Sequence, residues 1–258
     1  MKFKTIQFFA LLFSVMTAGT GLRANTDQEL LARVDSLVSY YDTDFSAQYT
    51  IVQERPGQGL STTKAGVFRR DSSETFVIVI IEPLISKGQG YLKEGKTLWF
   101  YDPESRRFNT TSNSNRFQNT NARNSDFTRS TLARDYKVIA GENVSLGRLD
   151  CRLLTLEAVT TEVTYPRMKV WISDDGLLRK SEDYSLSGQL LRTSAIPDYY
   201  HIGSRFVPKQ IFFIDALRGA NINGKFVNEK TQITISMPSF AKQSNSVFSK
   251  TFLESVNK

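Results

Sequence analysis

Short alternations of apolar and polar residues fill most of the chain. They are densest from Tyr165 to Thr193, where Met168, Val170 and Ile172 alternate with Lys169, Trp171 and Ser173. A period of two marks a strand with one apolar face. Asp174-Asp175-Gly176 and Ser187-Gly188 then read as tight turns, so the stretch is predicted to be an antiparallel three-stranded meander. Its middle strand, Leu177 to Ser185, carries Arg179, Lys180, Glu182 and Asp183, so at least one face should meet water. Before it, Phe45, Ala47, Tyr49 and Ile51 alternate with Ser46, Gln48 and Thr50, while Thr75 to Ile81 is apolar on both faces. Further strands are predicted over Lys64 to Arg70, Gly88 to Leu92, Thr97 to Asp102, Cys151 to Ala158, Gln189 to Ile196, Tyr199 to Ile202, Phe206 to Asp215 and Val227 to Met237. Asn223-Gly224 is the strongest of the hairpin turn signals.

Helical spacing appears in few places. Leu30, Leu31, Val34, Leu37, Val38 and Tyr41 form an amphipathic stripe, with Thr26 and Glu29 placed as a capping box. A short amphipathic piece is expected from Phe127 to Tyr136, and a last helix carries Val247, Phe248, Phe252 and Val256. About eleven hairpin-linked strands with three modest helices predict an α+β, mainly antiparallel β fold. Strands of this number must curl or split to stay compact, so the expectation is a strongly curved, incompletely closed β-barrel with helices covering its concave side. Asn109 to Asp126 contains six Asn and few apolar residues, which predicts a mobile surface loop.

The N-terminus alters the picture of where this chain works. Lys2 and Lys4 precede an apolar run from Ile6 to Val15, and Leu22-Arg23-Ala24 ends in a small residue. This reads as a signal peptide over residues 1–24 cleaved near Ala24, since the apolar run is short of the roughly 20 residues of a membrane span. Residues 25–258 are then read as a single exported domain, monomeric and periplasmic. Without Lys2, Lys4 and Arg23, 30 basic residues face 26 acidic ones. Arg106, Arg107, Arg116, Arg123, Arg129, Arg134 and Lys137 stand against only Asp126 and Asp135 in their stretch. That stretch is either a solvated surface or a basic segment that docks on anionic headgroups or an acidic partner. Nucleic acid is not expected as a partner of an exported protein.

Residues suited to catalysis are sparse. His201 is the single histidine and Cys151 the single cysteine, so neither a zinc cluster nor an internal disulfide is available. Asp42-Thr43-Asp44 lacks the Gly and Glu that complete a calcium loop. No phosphate-cradling glycine loop is present. The expectation is a protein that is not an enzyme and needs no metal or cofactor. The many large apolar groups on the strands exceed what a curved sheet with three helices requires, so some should line a cavity.

Leu98-Trp99-Phe100-Tyr101-Asp102-Pro103 before Arg106-Arg107, then Ser125-Asp126-Phe127-Thr128, and Val170-Trp171-Ile172 before the Asp-Gly turn together resemble the outer-membrane lipoprotein-sorting family of LolA-like periplasmic proteins. The resemblance runs from about Tyr49 to Met237. It implies an unclosed barrel whose apolar cavity holds acyl chains of lipoproteins or lipids, carried towards the outer membrane from an inner-membrane exporter to an outer-membrane acceptor. An accessory or regulatory lipid-sensing subunit of an exporter or signalling partner is the alternative. Alternation assigns Tyr49, Ile51, Phe76, Ile78, Ile80, Trp99, Tyr101, Val170 and Ile172 to the cavity, and Phe127 and Leu132 to its lid. A one-residue shift in the Thr75 to Ile81 strand would exchange its set for Val77, Val79 and Ile81.

Overall fold

The computed structural model describes residues 20–256, with side chains from Thr26 onward. Helix α1 (Thr20–Leu37) leads into strands β1 (Phe45–Arg55), β2 (Gly59–Arg70), β3 (Thr75–Glu82), β4 (Gly90–Glu94), β5 (Thr97–Asp102) and β6 (Arg107–Thr111). After an irregular segment and the one-turn helix α2 (Leu132–Asp135) come β7 (Tyr136–Leu146), β8 (Leu149–Ala158), β9 (Arg167–Ser173), β10 (Leu178–Tyr184) and β11 (Leu190–Ala195). The chain continues through β12 (Tyr199–Ile202), β13 (Arg205–Pro208), β14 (Gln210–Ile222), β15 (Lys225–Ser239) and helix α3 (Lys250–Ser255). Thirteen strands form one curved antiparallel sheet in the order β6-β5-β4-β3-β2-β1-β15-β14-β11-β10-β9-β8-β7, and β12 and β13 pair separately.

Three expectations are corrected here. The sheet has thirteen strands rather than about eleven, and the edge strands β6 and β7 are the two that alternation does not reveal. Both are largely solvent-exposed, and an edge that faces water needs no apolar stripe. Because β6 and β7 do not pair with each other, the sheet is open and no barrel closes. Helix α1 begins at Thr20, so Thr26 lies inside it and the Thr26–Glu29 capping box does not start it. The signal-peptide reading rests mostly on residues outside the described range.

Register fixes the inner face of the sheet. Tyr49, Ile51, Phe76, Ile78, Ile80, Ile233 and Ile235 share one core with Phe45, Tyr91 and Phe213. Helix α1 buries Leu31 and Val34 on the same face at the other end, against Leu154, Leu156, Val170 and Ile172. The turns behave as their residues require: Asn223 and Gly224 adopt φ of 50° and 77°, and Gly176 a φ of 84°. Asp175 supports that second turn by accepting from Ser173 Oγ at 2.6 Å and Leu177 N at 3.1 Å.

The helices do not all lie inside. Helix α3 packs on the outer face, where Leu253 is fully buried among Val77, Leu92 and Tyr101, and Phe252 and Phe248 cover Phe68, Trp99 and Phe108. Lys250 Nζ sits 3.4 Å from the centre of the Trp99 ring, a cation–π contact. The tail leading to α3 is held by Asp44, which accepts from Arg70 Nε at 2.8 Å and from Gln243 N at 2.7 Å. Gly90 is the residue that lets α3 approach, since a Cβ there would lie 2.5 Å from Leu253 Cδ2 and 3.2 Å from the Ile78 carbonyl. Gly90→Val should therefore lift α3 off the sheet at a cost of about 1–3 kcal/mol. Limited proteolysis should then cut the chain before Lys250 while the sheet remains folded; a protected C-terminus in this variant would contradict the packing.

The Asn-rich segment is the largest departure from expectation. Asn109–Asp126 is not a mobile surface loop: its first three residues complete β6, and Arg116–Asp126 forms a structured plug seated on the inner face. Phe117 and Ala122 are fully buried, and Thr120, Asn121 and Asn124 nearly so. Phe117 stacks 4.4 Å from Phe127 and 4.9 Å from Tyr91, ring centre to ring centre. Its backbone doubles back on itself, with Phe117 N donating to Ala122 O at 2.9 Å and Asn124 N to Asn115 O at 3.0 Å. Asn121 N donates to Thr231 Oγ1 at 2.8 Å and Gln53 Oε1 at 3.1 Å. Arg116 Nη1 donates to Asn121 Oδ1 at 2.7 Å, and the Arg116 guanidinium pairs with Asp215 on β14. Buried polar groups persist when their hydrogen bonds are made, and here the partners come from inner-face positions of β1, β14 and β15.

Candidate functional site

Beside the plug, the inner face stays uncovered over a cavity of about 870 Å³. That volume lies in the range of roughly 300–1,000 Å³ typical of small-molecule sites. Its floor is Phe45, Tyr49 and Phe76 from β1 and β3, with Ile211, Phe213 and Ile235 from β14 and β15. One wall is Met168, Leu178 and Ile196; the roof is Val34 of α1 and Val38 just after it, with Thr128 to Asp135 around α2. Period-two alternation on these strands puts every second side chain into the same space.

The roof is clasped by one carboxylate. Asp35 of α1 accepts from Leu132 N at 3.0 Å, Ala133 N at 2.8 Å and Ser130 Oγ. It thereby caps α2 from another helix, because Thr131 makes no side-chain cap of its own. Burial lifts the Asp35 carboxyl above the usual carboxylate range, despite the hydrogen bonds that favour its charged form.

Charged groups punctuate the apolar lining in two places. Arg69 of β2 pairs with Asp71 at 2.6 Å, donates to the Val38 carbonyl at 2.8 Å and stacks 4.8 Å over the Tyr40 ring. Burial pushes the Tyr40 phenol up to about 12, and its hydroxyl donates to Phe206 O at 2.6 Å. Further along, Arg192 of β11 sits between Asp183, at 2.8 Å, and Asp126, at 2.7 Å, with its guanidinium 4.5 Å over Phe213. Burial raises the Asp183 carboxyl against the pull of Arg192, while the two carboxylates hold Arg192 protonated.

The structure divides the residues that alternation assigns to the cavity. Tyr49, Phe76 and Leu132 line it. Ile51, Ile78 and Ile80 are on the inner face, but they sit in solid core with Phe117 and Ala122. Val170 and Ile172 are covered by Leu31 and Val34 of α1. Trp99 and Tyr101 are corrected to the outer face, under α3, because β5 has the opposite parity: its inner side chains are Leu98 and Phe100. Val77 and Val79 share that outer face. Phe127 is core rather than lid, 5.9 Å from the Tyr49 ring.

The basic stretch is likewise not one surface. Arg116 and Arg123 fasten the plug, the latter through Ser114 O at 3.0 Å. Arg129 and Arg134 both pair with Glu74 at the cavity rim. Arg106 in the turn before β6, Arg107 in β6 and Lys137 in β7 are exposed at the sheet's two edges, and Arg134 is exposed at the rim. Lining residues that the sequence reading missed, Phe45, Ile211, Phe213 and Ile235, share the parity of those it found. The buried ions Arg69, Lys93 and Arg192 carry no such signal.

Among the described residues no group of three or more His, Cys, Asp or Glu side chains is placed to hold a metal. His201 stacks on Phe206 at 4.5 Å, away from the cavity lining. Cys151 is buried and its thiol is raised by that burial.

A family model described as "-like: Uncharacterized protein" matches residues 72–255. No curated protein matches the chain. Among solved structures, a LolA superfamily protein from Nitrosomonas europaea is 24% identical, with 87% of this chain and 98% of that chain covered and a TM-score of 0.72. A domain from Vibrio parahaemolyticus, described as a putative outer membrane lipoprotein-sorting protein domain, is 16% identical over 90% of this chain and 99% of that one, with a TM-score of 0.77. A DUF1329 family protein from Desulfovibrio piger is 18% identical, covering 89% and 98%, at a TM-score of 0.76. The chain belongs to the family of the matching model, and its fold is the fold shared by LolA superfamily and outer membrane lipoprotein-sorting proteins.

Proposed function

We propose that this protein is a periplasmic carrier that holds the acyl chains of a lipoprotein or lipid in its cavity and hands them on towards the outer membrane. The observation that carries the reading is the 870 Å³ space on the inner face, walled by side chains from β1, β3, β9, β14 and β15 and roofed by α1 and α2. The likeness of fold to the lipoprotein-sorting domain of Vibrio parahaemolyticus supports it. The leader read over residues 1–24 supports the compartment.

The energetics define what such a carrier needs. Each methylene kept from water is worth about 0.8 kcal/mol, so a diacyl anchor alone in an aqueous compartment is strongly disfavoured. Moving the same chains from a bilayer into an apolar cavity gains little, because both surroundings are apolar. Loading therefore requires an inner-membrane exporter, and unloading an acceptor in the outer membrane that holds the anchor better. The α2 part of the roof is the natural gate, a single turn joined to α1 by the hydrogen bonds of Asp35 and Gln28.

Residues 25–258, incubated with donor vesicles carrying a fluorescent diacyl lipopeptide, should extract it as a soluble one-to-one complex. Donor vesicles that keep all of their lipopeptide at saturating protein, together with no binding of the free fatty-acyl probe, would contradict the carrier.

A further inference from the structure

One corner of the cavity is built for something other than hydrocarbon. Lys93 of β4 lies opposite Phe76 in the register of β3 and β4, so its side chain shares the cavity face with that ring. It is only 8% exposed. Its Nζ donates to the backbone carbonyl of Glu74 at 3.4 Å, and it makes no ion pair with a carboxylate among the described residues. A buried ammonium left in that position is costly without an anionic partner. Two guanidinium groups reach the same residue: Arg129 and Arg134 both pair with the Glu74 carboxylate, Arg134 at 2.9 Å. Arg134 has a second carboxylate, Asp135 at 2.8 Å. Arg129 instead donates to the Tyr41 hydroxyl at 2.9 Å, and its buried Nε has no hydrogen-bond partner. Lys93, Arg129 and Arg134 thus gather on the rim of the cavity around Glu74 and Asp135, with Asp35 of α1 also within electrostatic reach of Arg129 and none of the three carboxylates paired to Lys93. Burial draws the Lys93 ammonium below its usual range, with Glu74 opposing and the two arginines adding to the effect.

Resting on the carrier reading, we infer that this corner receives the anionic, phosphate-bearing headgroup of a lipid. Its oxygens accept from Lys93 Nζ and Arg129 Nε while the acyl chains lie on Phe76, Tyr49 and Phe213. Charge-assisted hydrogen bonds of this kind are the strong ones, and a headgroup anchored there sets the depth to which the chains enter. The cargo class is then an anionic phospholipid or an anchor with a comparable phosphate, in preference to a neutral glyceride.

The test loads the protein from mixed micelles with dioleoylphosphatidylglycerol or with dioleoylglycerol, whose chains are the same, and counts bound lipid after gel filtration. The wild-type protein should retain the phosphatidylglycerol about tenfold better. Lys93→Met, which removes a buried charge and keeps the side-chain length, should reduce that preference to about twofold or less. Arg129→Gln is the second variant and should weaken the preference in the same direction. Equal uptake of both lipids by the wild-type protein would overturn the anion site and leave the carrier standing. Uptake of neither would overturn both. Glycerol 3-phosphate displacing phosphatidylglycerol at equal concentration would assign the site to small phosphate esters and overturn the lipid assignment.

Discussion

Arg192→Ala should destabilise the protein by about 3–5 kcal/mol, a large part of the total stability of about 5–15 kcal/mol usual for a domain. Arg192 is 6% exposed, and its guanidinium spans Asp183 of β10, which is fully buried, and Asp126 of the plug. It donates to Asn121 O at 3.3 Å as well. Truncation leaves two carboxylates facing each other without their cation and removes the stack on Phe213 and Tyr165. The direction with pH follows from Asp183. Its carboxyl is raised by burial even with Arg192 present, and without the arginine it rises further. A carboxyl whose folded pKa exceeds its unfolded value of about 3.9 contributes stability below that value and loses it as pH rises through the folded pKa. The deficit of the variant relative to the wild-type protein should thus be greatest near neutral pH and narrow towards about pH 4. Urea titrations at both pH values read this directly. A deficit below about 1 kcal/mol at pH 7 would show that the plug is not anchored through Arg192.

A glutamate introduced at two inner-face positions should have opposite consequences. Ile78 is 1% exposed, in core beneath the plug, so Ile78→Glu buries a charge with no partner. The cost is several kcal/mol and should leave the protein unfolded or aggregated. Ile211 is half-buried and faces the cavity. There a carboxylate reaches the water that fills an unloaded cavity, so Ile211→Glu should melt within a few degrees of the wild-type protein. It should nonetheless bind a fluorescent fatty-acyl probe at least about tenfold more weakly, because the charge must be desolvated beside the chain. Circular dichroism melts and probe titrations separate the two outcomes. A folded Ile78→Glu protein that has lost the probe would move the binding space under the plug. An Ile211→Glu protein that binds as well as the wild type would remove β14 from the cavity wall.

The contrast between these positions marks how far the sequence could be read. Alternation placed Tyr49, Phe76 and Ile78 on one face of the sheet, and register agrees. It could not separate cavity from core, because both demand the same apolar parity and differ only in what lies opposite. For Ile78 that opposing element is the plug, whose composition suggests a loop. The missing signal was polar residues at inner-face positions: Gln53, Asp183, Arg192, Asp215 and Thr231 are all buried, and each makes part of the polar seat on which the plug or its anchors rest. Parity failed on β5, where Leu98, Trp99, Phe100 and Tyr101 are all large and apolar and both faces are covered, one by Tyr91 and the plug and the other by α3. A doubly covered strand carries no alternation to read. The edge strands β6 and β7 failed for the converse reason, since neither of them needs an apolar stripe to reach its place.

Native mass spectrometry with lipid extraction, applied to the protein purified from its native cells, tests the cavity most directly. The predicted result is a co-purifying amphiphile with one or more acyl chains, released on unfolding and absent from Ile211→Glu protein prepared in the same way. A clean apo mass, together with no binding of a fatty-acyl probe on titration, would contradict the account and leave the space on the inner face without a lipid role.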